Sequence, residues 1–201
     1  MKHALKRVLD VTGALVGIAL LSPIMLLVAV GVHLTMGSPV LFRQQRPGLN
    51  QQPFDIYKFR SMRSTAGLSD AQRLTPFGNF IRKTSLDELP QLFNILEGTM
   101  SFVGPRPLLF EYIPYYTATE MRRHEVKPGV TGWAQIHGRN NLNWDDRLAK
   151  DIWYVDHWSP LLDIKIILKT IGIVLTGKDV TTEGHATYLR LDEYRHAKGQ
   201  P

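Results

Sequence analysis

The chain has 201 residues, 44% of them hydrophobic, with 24 Lys and Arg against 18 Asp and Glu, a formal charge of +6. That length gives one domain with a small appendage and enough apolar material for a core, and the positive excess favours an anionic partner: nucleic acid, acidic lipid or a phosphorylated substrate. The absence of cysteine excludes disulfides, thiol catalysis and Cys-ligated metals.

Residues 11–34 contain no Asp, Glu, Lys or Arg. As a helix they reach roughly 36 Å, against a hydrocarbon core of about 30 Å, so the segment is expected to embed in a membrane. It is too long for the apolar part of a signal peptide, and no A-x-A-like cleavage site follows. Lys2, Lys6 and Arg7 precede the run while Arg43 and Arg46 follow it, so the positive-inside rule selects no orientation. Ser22-Pro23 interrupts its centre. Proline removes a backbone donor and clashes with the preceding turn, and the Ser22 hydroxyl can satisfy a freed carbonyl. Two topologies fit: a kinked single span, or a re-entrant helix–break–helix that enters and leaves on one face.

After Gly37-Ser38-Pro39 come a short extended piece, residues 40–42, and a turn signal at Arg46-Pro47-Gly48-Leu49-Asn50. The stretch FDIYKFRSM, 54–62, alternates as a strand with Lys58 and Arg60 on one face and Phe59 on the other. That basic face is either solvated or anion-binding. Residues 64–73 form a polar connection.

The segment 85–107 reads SLDELPQLFNILEGTMSFVGPRP. An acid pair, Asp87 and Glu88, enters a short apolar helix, and a Gly-Pro-Arg-Pro turn follows. Ser85 and Glu88 fit a capping box, whereas Pro90 at the first helical position would start the helix at Leu89. Either way the acids sit at a helix N-terminus, where the helix dipole favours negative charge. They are caps, or they are nucleophile, base or metal ligand. Arg106, held between Pro105 and Pro107, offers a planar fork to phosphate.

Residues 112–126 suggest a polar helix ended by Lys127-Pro128-Gly129. VTGWAQIHGRNN, 130–141, reads as a loop with a short strand. A helix is expected over 144–157, carrying Asp151. Another, over 161–175, has Lys165 and Lys169 at i and i+4 with Asp163 nearby, which suits a helix lying in the headgroup plane or a core helix with a polar edge. His137 and His185 are expected to hydrogen-bond rather than catalyse. VTTEGHATYLRL leads into a charged, frayed tail.

Taken in order, ALKRVLD (4–10), the Ser22-Pro23 break, RPG (46–48), YKFRSM (57–62), SLDELPQLFNIL, MSFVGPRPLL, PGVTGWAQIHGRN and DIWYV resemble the bacterial sugar transferase family, the monotopic phosphoglycosyl transferases. The likeness covers roughly residues 1–190 and looks like the minimal catalytic form without extra N-terminal spans. The EGH at 183–185 is similar to diacetylbacillosaminyl-1-phosphate transferases.

The resemblance implies an α+β, mainly helical fold, a monotopic membrane protein with interfacial amphipathic helices. Residues 1–36 would be a re-entrant membrane helix and 37–201 a catalytic domain on the cytoplasmic face of the bacterial inner membrane. It implies transfer of a sugar-1-phosphate from a UDP-sugar to polyprenyl (undecaprenyl) phosphate with release of UMP, the first membrane step of glycoconjugate synthesis, on an anionic phospholipid surface. No nucleic acid beyond the nucleotide sugar is expected. Asp87 would be the nucleophile forming a covalent phosphosugar intermediate, and Glu88 would assist it. Both would hold Mg2+, a hard ion suited to carboxylate and phosphate oxygens. Lys58, Arg60 and Arg106 would bind phosphate, and Asp151 and Asp163 are supporting acids whose roles, metal, sugar or salt bridge, stay open. Ser22 and Pro23 would serve membrane association alone. The alternatives are a UDP-releasing glycosyltransferase acting on a lipid, and a basic non-catalytic membrane-surface adaptor. The adaptor gives the acid pair before Arg106 no purpose.

Overall fold

A computed structural model of the protein describes residues 2–65, 67–138, 142–176 and 189–199. The EGH at 183–185, His185 with it, lies outside the described residues. The chain divides into two compact units, one of residues His3–Gln44 and Asp55–Gly98, the other of Met1–Lys2, Gln45–Phe54 and Thr99–Pro201.

The first unit opens with α1 (Lys2–Met36), a 35-residue helix about 50 Å long, apolar enough to cross a membrane. The expected break does not interrupt it. Helix runs through Pro23, and the Ser22 hydroxyl donates to the Ala19 carbonyl at 3.1 Å, the local compensation that lets a membrane helix carry proline. Leu20, Leu26, Leu27 and Leu34 are exposed, whereas Val28 and Val32 pack with Phe59 and Ile81 in this unit's core. β1 (Leu41–Pro47) and β2 (Pro53–Phe59) form a two-stranded sheet. The turn in this hairpin has Asn50 and Gln51 at φ 51° and 62°.

Beyond β2 stand α2 (Asp70–Arg73) and α3 (Pro76–Lys83), inside and just after the stretch expected to be a polar connection. α3 is set by local chemistry: the Thr75 hydroxyl accepts the Gly78 amide at 2.9 Å and Pro76 occupies the first turn. Gly78 is obligatory there, since a Cβ would lie 1.8 Å from the Ser61 carbonyl oxygen. A 3-10 turn, Leu86–Glu88, and α4 (Gln91–Glu97) complete the unit.

The second unit is built on a parallel pair, β3 (Ser101–Val103) with β4 (Gly129–Thr131), in the register Ser101 to Gly129 and Val103 to Thr131. The polar helix expected over 112–126 is three pieces: a 3-10 helix Phe110–Tyr115 containing Pro114, α5 (Ala118–Met121), and a 3-10 turn Arg122–Glu125. α6 (Trp144–His157) fills its expected range, capped by Asn143 accepting the Asp146 amide. α7 (Pro160–Thr176) follows. Ile166 is buried in a core with Val103, Ile136 and Tyr154, while Leu161, Ile164, Leu168 and Ile171 line an exposed apolar face. One face of this helix is therefore core, as one reading expects, and the other is apolar and exposed. The frayed tail is instead α8 (Leu191–Ala197): Leu191 is buried with Tyr112, Trp144 and Leu148, a side-chain burial that contributes about 1.5–3 kcal/mol.

Candidate active site

In the first unit the acid pair sits on the 3-10 turn that precedes α4. α3 ends at Thr84, and Ser85 turns left-handed at φ 57°. In that conformation its side chain makes no capping bond, so the capping box does not form; Pro90 is the N-cap of α4 rather than its first residue. Asp87 is buried at 8% exposure. Glu88 meets Lys58 from β2, Nζ to Oε1 at 2.7 Å, in a pair that is still partly exposed. Asn94 of α4 fixes this approach, because its Oδ1 accepts the Tyr57 amide at 3.0 Å and its Nδ2 donates to the Asp55 carbonyl at 2.7 Å. The side-chain amide thus stands in for a neighbouring strand beside Lys58.

Arg60 is only two residues further along, but its guanidinium is turned to another task. It donates to the carbonyls of Ser38 at 3.2 Å, Gly37 at 2.9 Å and Met36, at the C-terminal end of α1. A cation on these last carbonyls satisfies orphan acceptors and opposes the negative end of the helix dipole. At the other end of α1, Arg7 donates to the carbonyls of Ile95 and Leu96, the last turn of α4, at 2.5 and 2.6 Å.

In the second unit, Arg106 is exposed on the Gly-Pro-Arg-Pro turn. The turn fits closely over β4: a Cβ on Gly129 would lie 2.0 Å from the Gly104 nitrogen. Its anchor is Arg123, whose Nη2 donates to the Arg106 carbonyl at 2.7 Å. The same guanidinium holds the Asp151 carboxylate through Nη2 at 2.7 Å and Nε at 3.2 Å, with both side chains almost wholly buried. Burial pushes the Asp151 carboxyl up and the Arg123 charge pulls it back. The structure thus places Asp151 in a salt bridge. Asp163 accepts from the Tyr154 hydroxyl at 2.7 Å and the Trp158 indole at 3.1 Å, fastening the start of α7 to α6.

Arg123 and His124 are the residues that the sequence reading missed. Read as part of a polar helix they belong to a solvated face, yet they are only 3% and 5% exposed. Burial, with the Arg123 charge beside it, holds the His124 imidazole down at about 4. His137 hydrogen-bonds the Trp133 carbonyl at 2.8 Å and packs against its ring at a tilt of 52°.

The donor set bears on the metal. Among the described residues no group of three or more His, Asp or Glu side chains is arranged to hold an ion. Two adjacent carboxylates fit magnesium, which takes one or two protein carboxylates and fills its shell from water and substrate phosphate.

Comparison with known proteins follows the same lines. The family model described as bacterial sugar transferase matches residues 1–177. The chain is 50% identical over 188 residues to an uncharacterized sugar transferase, EpsL, of Bacillus subtilis (strain 168), covering 91% of this chain and 93% of that one. It is 42% identical over 191 residues to the galactosyl transferase CpsE of Streptococcus agalactiae (86% of this chain, 42% of that one). It is 41% identical over 186 residues to the UDP-glucose:undecaprenyl-phosphate glucose-1-phosphate transferase of Escherichia coli (strain K12), with 85% and 40% covered. The chain therefore spans nearly all of the first relative but about two fifths of the other two.

Proposed function

The chain belongs to the bacterial sugar transferase family, and from that premise we propose that it transfers a sugar-1-phosphate from a UDP-sugar to undecaprenyl phosphate, releasing UMP. The names of several relatives carry this reaction. The observation that supports it in this chain is the turn Leu86–Glu88, where a buried carboxylate adjoins a Glu88–Lys58 ion pair open enough for an anion to reach.

In the proposed reaction an Asp87 carboxylate oxygen attacks the phosphorus next to the sugar. A carboxyl–phosphate bond forms as the bond to the UMP oxygen breaks, and UMP leaves with that electron pair. A phosphate oxygen of the lipid then attacks the same phosphorus and expels Asp87 as carboxylate, giving polyprenyl diphosphate sugar. Splitting the displacement lets one anion at a time meet the phosphorus. Lys58 neutralises phosphate charge once Glu88 shares it, and Arg106 offers its fork to a phosphate. Magnesium on the two carboxylates would withdraw charge from the phosphoryl oxygens. Arg60 serves the same site indirectly, by holding the end of α1.

We further infer a monotopic arrangement on the cytoplasmic face of the inner membrane. Residues 1–36, although helical from Lys2 to Met36, would re-enter by bending at the Ser22-Pro23 step, 37–201 form the catalytic domain, and the exposed face of α7 lies against anionic lipid. The apolar surfaces of α1 and α7 support this reading. Impermeant thiol labelling of Lys2→Cys and Asn50→Cys in oriented vesicles tests it: labelling of both from the cytoplasmic side is expected, and labelling from opposite sides means that α1 spans. The reaction is tested by nucleotide release from a panel of UDP-sugars with undecaprenyl phosphate and Mg2+. Lipid-dependent UMP is expected, and UDP in its place would replace phosphosugar transfer by attack at the sugar carbon.

A further inference from the structure

One shoulder of α7 carries charge that the proposed reaction does not use. At about 3.6 residues per turn, Leu161, Ile164, Leu168 and Ile171 fall on one exposed stripe, and Ile166 and Ile173 on the side that faces the core. Lys165 and Lys169 fall between the two, one turn apart and both exposed. Against that shoulder stands a column of four rings. His137, Trp133, Trp153 and His157 follow one another at centroid separations of 4.0, 4.2 and 4.4 Å, the last two contacts being stacked within 20° and 11° of parallel. Lys165 Nζ lies 5.8 Å from the centre of the Trp133 ring, a cation held over an aromatic face. Trp153 keeps 37% of its surface exposed, and His157 is exposed at the far end. On α6, Lys150, Trp153 and His157 stand at i, i+3 and i+7, so a third lysine shares this face.

The three ammonium groups converge. Burial holds the His137 imidazole below its ordinary value, and the charges of Lys169, Lys150 and Lys165 press it down further, against the opposing effect of its hydrogen bond to the Trp133 carbonyl. Among the described residues none of these lysines is in an ion pair. The one acid of α7, Asp163, is taken up by Tyr154 and Trp158. Like charges gathered round one ring repel one another, and an anion set among them relieves that repulsion.

This combination selects its partner. A helix lying in the membrane plane with its apolar stripe in the acyl layer brings its flanking lysines to headgroup depth, where indole rings also settle. Ammonium groups are compact charges on flexible stems that impose no fixed geometry, which suits the phosphate of an abundant lipid better than one substrate held for reaction. We propose that Lys150, Lys165 and Lys169, beside the Trp133–Trp153 stack, bind the phosphate of an anionic phospholipid headgroup. The inference rests on the membrane placement of α7 above and adds to it a discrete lipid site.

All four tryptophans, Trp133, Trp144, Trp153 and Trp158, belong to the second unit, so indole fluorescence reports on it alone. The test places the full chain in phosphatidylcholine nanodiscs and compares quenching by phosphatidylglycerol and by phosphatidylcholine, each brominated near the headgroup end of its acyl chain. Brominated phosphatidylglycerol should quench at least about fivefold more effectively, the effect of one lysine at a charged surface. Trp153→Phe should diminish that preference, and Lys150→Gln with Lys165→Gln and Lys169→Gln should remove it. Because the chain has no cysteine, a fluorophore on Leu168→Cys reports separately whether α7 meets the acyl layer. Quenching there, with equal action of the two lipids on the indoles or a preference that survives the triple substitution, overturns the lipid site and leaves the membrane placement standing. Quenching at neither place overturns both. Loss of the preference when undecaprenyl phosphate is added at a small fraction of the phosphatidylglycerol overturns the phospholipid assignment and gives the site to the acceptor. The wild-type comparison decides even where a variant fails to fold.

Discussion

Two of the molecule's pairs between a basic side chain and a carboxylate have opposite designs. Lys58–Glu88, in the first unit, joins one ammonium nitrogen to one oxygen and stays partly exposed. Arg123–Asp151, in the second, is sealed from water and made through two guanidinium nitrogens, with the Arg106 carbonyl as a further acceptor. A pair that water still reaches is weaker and more exchangeable than a sealed one, so in the proposed reaction an incoming phosphate can compete for the lysine. A buried, multiply bonded pair cannot be broken without stranding a charge, which suits it to holding a turn in place. The first is open in the way that the proposed chemistry requires and the second is closed in the way that geometry requires, although the acids involved look alike in the sequence.

Substitutions can break that contrast. Asp87→Asn, beside the exchangeable pair, keeps the side chain's shape and should lower UMP release by about 10⁴-fold or more, as removal of a nucleophile does, with the melting temperature nearly unchanged. Retained activity would dismiss the covalent step. Asp151→Asn should do the reverse first: a loss of about 3–5 kcal/mol in unfolding free energy, because Arg123 is left charged and buried. Asp151→Leu combined with Arg123→Met should recover part of that stability without recovering affinity for the donor, since the Arg106 turn loses its anchor. Lys58→Met should reduce kcat by about 10²–10³-fold, comparable to losing one preorganised charge-stabilising donor, and leave stability within about 1 kcal/mol. A large stability loss there would erase the distinction between the two pairs.

Acid pH sharpens the comparison further. The folded chain depresses His124 from its ordinary 6.5 to about 4. Folding therefore favours the neutral ring, and this contribution is complete above about pH 6.5 and lost as pH falls towards 4, about 3 kcal/mol in full. Urea unfolding followed from pH 7 to 4.5 should show that loss in the wild type and a flatter profile in His124→Gln.

Local chemistry was legible in the sequence wherever it acts locally. α6 follows from its Asn143 cap and apolar spacing, and α7 from a Leu- and Ile-rich run with Asp163, Lys165 and Lys169 set into it. The same S/T-x-x-E pattern nevertheless gave two outcomes. Thr117, with extended backbone, forms a capping box with Glu120; Ser85, forced left-handed by the end of α3, does not. α3 was missed because eight residues are a short window, although Phe77, Phe80 and Ile81 stand at i, i+3 and i+4 and Thr75-Pro76 signalled its start. The acid pair and Arg106 were visible as residues. What Arg60, Arg123 and Asp151 do was not, since each finds its partner across 17 to 28 residues of intervening chain, and no sequence period encodes such a meeting.

The clasping of α1 at its two ends has a mechanical consequence. Arg7 ties its beginning to the last turn of α4, and Arg60, on the same run of chain as Lys58, grips its end. Load placed on the helix is thus delivered to the elements on either side of Asp87 and Glu88. On the membrane placement proposed above, a lipid that tilts or displaces α1 would pull on the turn of Asp87 and Glu88 through two arginines.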